Sequence, residues 1–319
     1  GAKGWLVGKE NEGLKVMFVM MNEARIGTGL QGHSIGAAAY QQAVTFAKER
    51  LQGRSLTGPK NPDGPADPII VHPDVRRMLT ESKAFIEGGR AFIAWSALNG
   101  DLARGHEDEA VRTKAQDYMG LLTPIVKAYL TDRGFHVASQ AMQVHGGSGY
   151  TEHYQASQFL RDARITMIYE GTNGVQALDL VGRKLAAAGG RGVMSFFSDV
   201  DAFVAENQGS EALKPFVDGL ADSKAKLQDA TFWLMQNGMQ NPDNAGAASL
   251  DYLHLFGLTC LALMWAKMAK AAQAKIDEGA TDPFYADKLK TGRYFVARIL
   301  PDAGAHLAKL KTGAEPIMA

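Results

Sequence analysis

The sequence has very little cysteine and no excess of charge of either sign. Cys260 is the only cysteine among 319 residues, so no internal disulfide can form, and we expect a reducing, cytoplasmic location. Its apolar neighbours indicate a buried packing residue. The 34 lysines and arginines balance the 34 aspartates and glutamates, which leaves no global field for phosphates or anionic lipid. We therefore expect no nucleic-acid partner.

Long hydrophobic runs and metal-ligand spacings are also missing from the sequence. The most apolar stretch, Leu255 to Ala266, is shorter than the roughly 20 residues that span a bilayer, so no membrane segment is predicted. No HExxH, CxxC, dinucleotide-binding or P-loop pattern occurs, and no metal site is predicted. Neither an initiator methionine nor a signal peptide precedes Gly1, so we expect a fragment or a processed product.

What the sequence does contain is helical periodicity over almost its whole length. Only Gly4 to Gly8, short and apolar, could be a strand. Helices are predicted at about residues 12–52, 73–104, 109–129, 133–144, 155–168, 173–188, 193–207, 211–237, 245–276 and 283–311. Four glycines within the first helix indicate close backbone packing: Gly27, Gly29, Gly32 and Gly36. The pattern predicts an all-α fold in two packed bundles, with a linker at 189–192.

The first motif with chemical potential runs from Gln143 to Tyr150 and reads Q-V-H-G-G-S-G-Y. Three glycines just past a helix end let the backbone approach a ligand closely and offer N–H groups to phosphates. A simple helix cap and turn is the plain alternative. This motif alone does not decide between a ligand site and a turn.

The second motif runs from Ile168 to Gln176 and reads I-Y-E-G-T-N-G-V-Q. It puts Glu170 on a turn immediately before a helix, whose N-cap is predicted to be Thr172. The alternative is that Glu170 merely stabilises the start of that helix. This motif too is ambiguous alone.

Together, the order and spacing of these motifs resemble the acyl-CoA dehydrogenase family. Between them lies R-D-A-R-I at residues 161–165, and the match needs no gap from Gln143 to Gln176. Residues 21–26 and the K-E-R run that ends at Arg50 resemble the helix upstream in the family. The tail beyond residue 187, with residues 68–79, resembles the longer subgroup that includes 3-methylmercaptopropionyl-CoA dehydrogenase.

The resemblance implies a division of the chain and an incomplete site. Residues 1–9 would be the remnant of a β-domain, 10–187 the C-terminal helical domain, and 188–319 an additional helical extension. A missing N-terminal part would supply much of the flavin and thioester site. We therefore expect residues 1–319 in isolation to bind FAD weakly and to have little activity.

The implied function is FAD-dependent α,β-dehydrogenation of an acyl-CoA thioester. Glu170 matches the catalytic base, whose basicity burial beside the acyl chain and flavin would raise, and Arg25 matches the arginine that orients it. Tyr169 would line the acyl pocket. Thr172 and Gln176 would contact the flavin beside the base. Gln143, Gly146 and Gly147 of a neighbouring subunit would contact the adenosine part of FAD, and Arg50 or Arg54 would reach the pyrophosphate. The implied partners are the acyl-CoA substrate, an electron-transfer flavoprotein as electron acceptor, and further copies in a dimer or tetramer.

The chain departs from the family pattern at one place, and two alternative functions stay open. Most members of the family continue R-x-x-F-G after the arginine, whereas this chain reads R-L-Q-G-R from Arg50, so the aromatic beside the flavin is missing. A non-catalytic helical module, with the glycine loops used for subunit packing, is one alternative. A DNA-associated branch of the family is the other, although the tail has mixed rather than basic charge. Acyl chain length is not determined by the sequence.

Overall fold

The computed structural model describes residues 1–319, the side chain of Val19 excepted, and the described residues form helices connected by loops. The α-helices are α1 Gly13–Glu49, α2 Pro73–Gly105, α3 Glu109–His145, α4 Gly147–Tyr150, α5 Ala156–Thr166, α6 Asn173–Asp179, α7 Arg191–Asn207, α8 Lys214–Gln240, α9 Pro242–Asp277, α10 Pro283–Arg298, α11 Asp302–Leu310 and α12 Glu315–Met318. Short 3₁₀ turns lie at Ile69–Val71 and Ala187–Gly190, and α6 continues into a π-turn at Leu180–Lys184. The predicted all-α class is confirmed.

The strand predicted at Gly4 to Gly8 is wrong. In the described structure this segment is irregular and its apolar side chains are exposed, Trp5 by 83%. A strand needs a partner for its backbone N–H and C=O groups. The β-bridge that the described residues make, Leu51 with Pro68, lies elsewhere and closes the loop after α1.

Two predicted helix boundaries are also wrong. The helices expected at 109–129 and 133–144 are one continuous helix, α3, because the residues between them include no glycine or proline that would stop it. The hydroxyl of Thr131 donates 2.8 Å to the carbonyl of Lys127 within that stretch. Conversely, the helix expected at 283–311 is two helices: α10 ends at Arg298 and α11 begins at Asp302. Pro301 lies between them, and a proline cannot donate the backbone hydrogen bond that would continue the first helix.

The glycines of α1 pack directly against α3. A Cβ at Gly29 would lie 2.7 Å from the Val126 carbonyl oxygen, and one at Gly36 would lie 3.2 Å from the Gly134 carbonyl oxygen. Gly32 makes an equally close approach to Thr131. Gly27 faces open space, so the predicted close packing is confirmed for three of the four glycines.

The largest hydrophobic core runs through both halves of the chain and is centred on α9. It takes side chains from α2 and α3 as well as from α7 to α11. Trp265 and Cys260 of α9 are fully buried within it, and burial raises the pKa of the Cys260 thiol. By length and composition α9 could cross a membrane, but 78% of its apolar window is buried inside the protein, as in a core helix. The domain boundaries at residues 9 and 187 stay predictions.

Candidate functional site

The second motif forms a tight turn between α5 and α6, here called the acidic turn (residues 169–172). Glu170 and Gly171 both adopt left-handed backbone conformations, with φ of 58° and 84°. This conformation costs a non-glycine residue about 1–3 kcal/mol, so surrounding contacts must hold Glu170 in place. A Cβ at Gly171 would lie 2.6 Å from the Gln176 amide nitrogen, so the turn also needs a glycine there.

Three long side chains hold the acidic turn by its carbonyl oxygens. Arg25 of α1 donates from Nε to the Glu170 carbonyl at 3.3 Å, and Gln176 of α6 donates to the same oxygen at 3.1 Å. Lys127 of α3 donates to the Gly171 carbonyl at 2.8 Å. The turn is therefore fixed from α1, α3 and α6 at once.

Two of these holding groups are buried cations. Arg25 is 6% exposed and lies 3.6 Å from the carboxylate of Asp179, which is also buried. Lys127 is fully buried, and burial lowers its pKa to about 8 despite the opposing field of Asp132. Its ammonium also donates 2.7 Å to the side-chain oxygen of Asn173, the first residue of α6.

The side chain of Glu170 is half-buried rather than directed into open solvent. Its Oε2 atom is buried and, among the described residues, has no hydrogen-bond partner. The same holds for Oε1 of Gln176, so two unpaired polar atoms mark this turn. Buried polar atoms are normally paired, so an unpaired one needs an explanation, such as a catalytic role, local strain, or a bound water or ligand.

The other predicted residues of the acidic turn lie at its surface. The Tyr169 ring is 39% exposed, and its hydroxyl donates to Gln31 of α1. Thr172 is exposed and is the N-cap of α6, as predicted, since its hydroxyl accepts from the Val175 N–H at 3.4 Å. Apolar side chains around the turn are left about half exposed. They are Ile165, Ile168, Val175 and Leu178.

The first motif lines a separate cavity of about 510 Å³, here called the glycine groove. Its walls include the predicted residues Arg50, Gln143, Gly146 and Gly147. The remaining lining residues are Phe46, Gln52, Gly53, Ile69, His72, Val75, Val144, His145 and Ser148. Gly146 ends α3 with φ 61° and ψ −145°, and a Cβ at Gly146 or Gly147 would meet nothing within 4 Å. The backbone at these two positions is thus open to a ligand.

The loop beside the groove is organised by the buried carboxylate of Asp67. This carboxylate accepts from the backbone N–H groups of Ser55, Lys60 and Asn61 at 2.7–2.9 Å. Burial alone would raise its pKa, but these three donors and Arg54 together lower it to about 2. Arg54 also donates to the carbonyls of Asn61 and Gly64.

Of the two arginines considered for the pyrophosphate, only Arg50 lines the groove. Arg54 is occupied by its own loop. Where the family's aromatic residue is missing, the groove is instead walled by Phe46, whose ring lies 4.4 Å from that of His145. His145 is buried and bonds back to the Ala141 carbonyl, which makes it a structural residue.

The acidic turn and the glycine groove are far apart in one chain. Arg25 lies beside the turn, and Arg50, at the end of the same helix, lies at the groove. At 1.5 Å per residue, the 25 residues between them correspond to about 37 Å along α1. The structure therefore brings the predicted residues together in two groups: Arg25, Tyr169, Glu170, Thr172 and Gln176, and separately Arg50, Gln143, Gly146 and Gly147.

Sequence reasoning missed the buried polar residues behind the acidic turn. Lys127, Asp132, Asn173 and Asp179 were not singled out. The signal for Lys127 was available, because it is the one charge in the apolar run from Leu121 to Leu130. Arg25 itself is buried and makes no ion pair with its neighbour Glu23, which pairs with Arg104 instead.

Two family profiles match the chain almost end to end. Residues 11–185 match the C-terminal domain of acyl-CoA dehydrogenases, and residues 196–319 match a profile described as acetyl-CoA dehydrogenase C-terminal like. The first match covers more than half of the chain and includes both the acidic turn and the glycine groove.

Curated relatives agree with these profiles. The chain is 38% identical to the 3-methylmercaptopropionyl-CoA dehydrogenase of Ruegeria pomeroyi, over 97% of the chain and 52% of that protein. It is 31% identical to a broad-specificity linear acyl-CoA dehydrogenase of Mycobacterium tuberculosis, over 94% of the chain and 51% of that protein. The chain thus spans about half the length of the curated relatives it matches.

Solved structures show the same fold. The Bacillus anthracis acyl-CoA dehydrogenase complexed with FAD superposes on 95% of this chain and 50% of that one, with a TM-score of 0.74 and 17% identity. The structural similarity covers 95% of the chain and therefore includes residues 188–319 as well as the first half. With the profile matches and the relatives, it leads to one conclusion: the chain belongs to the acyl-CoA dehydrogenase family.

Proposed function

We propose that the protein containing this chain catalyses FAD-dependent α,β-dehydrogenation of an acyl-CoA thioester to the 2-enoyl-CoA, with Glu170 as the base. The observation that carries the proposal is the buried, unpaired Oε2 of Glu170 on a turn held by two buried cations. A carboxylate oxygen without a donor is free to accept a proton from a substrate.

FAD is the cofactor of this family, as predicted from the sequence, and the residues of this chain fit it at two places. At the acidic turn, Thr172 and the unpaired Oε1 of Gln176 would contact the flavin end. At the glycine groove, Arg50 offers a positive charge and Gly146 and Gly147 offer open backbone for the adenosine pyrophosphate end.

In the proposed reaction, bound FAD supplies the acceptor for the hydride that leaves the β-carbon of the acyl chain. Glu170 accepts the proton from the α-carbon. Arg25 does not touch the substrate; it fixes the backbone of Glu170 and so aims the carboxylate. Tyr169 and the half-exposed apolar residues around the turn would line the acyl chain.

Removal of the α-proton places negative charge on the thioester oxygen, and that charge needs a donor. In the described structure the N–H of Glu170 makes no backbone hydrogen bond. This N–H is therefore available to the thioester oxygen, while the carbonyl of the same residue is occupied by Arg25 and Gln176.

The spacing of the two sites supports a homo-oligomer. Because they lie about 37 Å apart along α1, the groove of one chain would serve the cofactor whose flavin end lies at the acidic turn of another. In a dimer or tetramer, two chains together would supply the residues for both ends of the cofactor. The further partners we propose are the acyl-CoA substrate and an electron-transfer flavoprotein that reoxidises the cofactor, and the proposed location is the cytoplasm.

The decisive experiment replaces Glu170 by Gln in the full-length protein that its gene encodes. Gln keeps the size of the side chain but cannot take a proton, so we expect kcat to fall by about 10²–10⁴-fold. The bound flavin spectrum should stay as in the wild type, while bleaching by a panel of acyl-CoA thioesters under anaerobic conditions should become slow. Unchanged turnover in Glu170→Gln contradicts the proposal and favours the helical assembly module.

The contribution of this chain to flavin binding can be measured separately. We expect residues 1–319 alone to retain little flavin on purification, because the N-terminal part that the resemblance implies would supply much of the flavin site. Absorbance between 350 and 500 nm, set against that of the full-length protein, measures the retained flavin. A strongly yellow sample that acyl-CoA bleaches contradicts the idea of an incomplete site.

A further inference from the structure

Helix α9, in the second half of the chain, lies unusually close to α3 just behind the acidic turn. The contact is centred on Tyr129, which is 2% exposed. A Cβ at Gly257 of α9 would lie 2.4 Å from Cγ of the Tyr129 ring, closer than any real side chain could approach. No side chain other than hydrogen fits there, so the register of α9 on α3 is fixed.

His254 lies about one helical turn before Gly257 and therefore on the same face of α9. Its Nε2 donates to Oδ2 of Asp132 in α3 at 3.0 Å. The ring meets Tyr129 edge-on, with centroids 5.6 Å apart, and stacks on His306 of α11 at 5.3 Å. His306 in turn bonds to Asp251 at 2.7 Å. His254 is thus held in one orientation by groups on three helices.

The other carboxylate oxygen of Asp132, Oδ1, begins a series of hydrogen bonds that ends next to Glu170. It accepts from the amide nitrogen of Asn173 at 2.6 Å. The amide oxygen of Asn173 accepts from Lys127 at 2.7 Å, and Lys127 donates to the Gly171 carbonyl at 2.8 Å. An unbroken series of hydrogen bonds therefore joins α9 to the residue that follows Glu170.

We infer that His254 is a positioning residue for Glu170, and that the second half of the chain contributes to the site through the path His254–Asp132–Asn173–Lys127–Gly171. No group of this path touches the substrate. The inference rests on the proposed function, since the position of the acidic turn matters for rate only if Glu170 is the base.

The physical reason is that each member of the path has a fixed number of donors and acceptors. With His254 in place, Oδ2 of Asp132 is occupied and Oδ1 points at Asn173. Without that donor, the carboxylate can rotate and recruit another partner. The Asn173 amide then loses its shortest bond, keeps those to the Ala128 carbonyl and the Thr131 hydroxyl, and shifts together with Lys127. In a low-dielectric interior such networks act as a unit. A displacement of about 1 Å at a reacting group costs about 10²-fold in rate, so even a partial shift is measurable.

The test compares three variants of the full-length, flavin-containing protein. His254→Phe keeps a ring between Tyr129 and His306 but removes the donor, and we expect kcat to fall about tenfold with KM for the acyl-CoA within about twofold. His254→Gln retains a donor and should recover most of that loss. His306→Phe is the matched control, since it keeps the stack on His254 and loses only the bond to Asp251.

A second measurement does not depend on catalysis. Amide hydrogen exchange of residues 169–176, measured without substrate, should be about tenfold faster in His254→Phe and unchanged in His306→Phe. Unchanged exchange in His254→Phe overturns the inference. So does faster exchange with unchanged kcat, or an equal loss of kcat in His306→Phe. If Glu170→Gln retains full turnover, the proposed function fails, whereas the exchange result still reports whether the path holds the turn.

Discussion

The acidic turn and the glycine groove are built in opposite ways. The turn is held by side chains that arrive from α1, α3 and α6, two of them buried cations, and its backbone is in a conformation that only those contacts maintain. The groove is shaped by a helix end, by glycine backbone and by a loop tied to its own Asp67. A turn held by many side chains suits a reaction that needs one atom placed accurately, whereas a groove of helix end and glycine backbone suits the binding of a ligand. Damage to the turn should therefore affect stability and turnover together, whereas loss of a ligand-facing side chain of the groove should affect mainly cofactor affinity.

The largest effect is expected from Lys127→Met. It leaves the Gly171 carbonyl without its side-chain donor and the Asn173 amide oxygen with only the longer bond from the Thr131 hydroxyl at 3.3 Å, at about 1–3 kcal/mol for a lost partner. Relief of a buried charge offsets part of this, so we expect a net loss of about 2 kcal/mol in unfolding free energy. Turnover should fall about 100-fold because the turn moves. Denaturant unfolding and steady-state kinetics measure the two effects, and Lys48→Met, at an exposed position of α1, should change neither.

Gly146→Ala should destabilise the protein by about 1–3 kcal/mol, because φ 61° with ψ −145° is a conformation that alanine rarely adopts. There is space for the methyl group, so the cost is in the backbone alone. Gly147→Ala is the matched control: its φ is not positive and its surroundings are open. It should leave the thermal midpoint unchanged and weaken only FAD binding. Equal melting of the two variants would contradict the conformational argument.

Arg50→Met should weaken FAD binding about tenfold, or roughly 1.4 kcal/mol, as expected for one charge-assisted contact to phosphate. Stability should be unchanged, because Arg50 is exposed. Titration of the apoprotein with FAD at two salt concentrations measures the effect, which should shrink at high salt. Arg293→Met, an exposed arginine of α10, is the control. A fall in unfolding free energy with FAD affinity unaltered would place Arg50 in the fold rather than the groove.

The smallest effect concerns the pH dependence of the loop beside the groove. The pKa of Asp67 is about 2 in the folded protein, against an ordinary value of 3.8. A lowered carboxyl pKa stabilises the fold above 3.8, and that contribution is lost as the pH falls towards 2. The difference in unfolding free energy between wild type and Asp67→Asn should therefore narrow between pH 4 and pH 2. Asp63→Asn, at an exposed neighbouring position, is the control variant.

Much of the site could be predicted from sequence because its motifs are local. Glu170, Thr172 and Gln176 lie within seven residues, and Gln143, Gly146 and Gly147 within five, so the spacing alone is a signal. The buried network behind the turn could not be found in this way. Lys127 and Asn173 are 46 residues apart, and Asp132 and His254 are 122 apart. Nothing in the sequence pairs them.

By itself, the sequence determined the helical class, the positions of most helices, the N-cap at Thr172 and the residues of both motifs, since each depends on periodicity or on neighbours in the chain. Only the tertiary structure decided that α3 is continuous, that Gly4 to Gly8 is irregular among the described residues, and that Arg50 rather than Arg54 lines the groove. It also decided that a histidine of α9 bonds to Asp132 of α3, behind the acidic turn. The reason is physical: a hydrogen bond between distant residues depends on how helices pack, and the close approach of Gly257 to Tyr129 sets that packing.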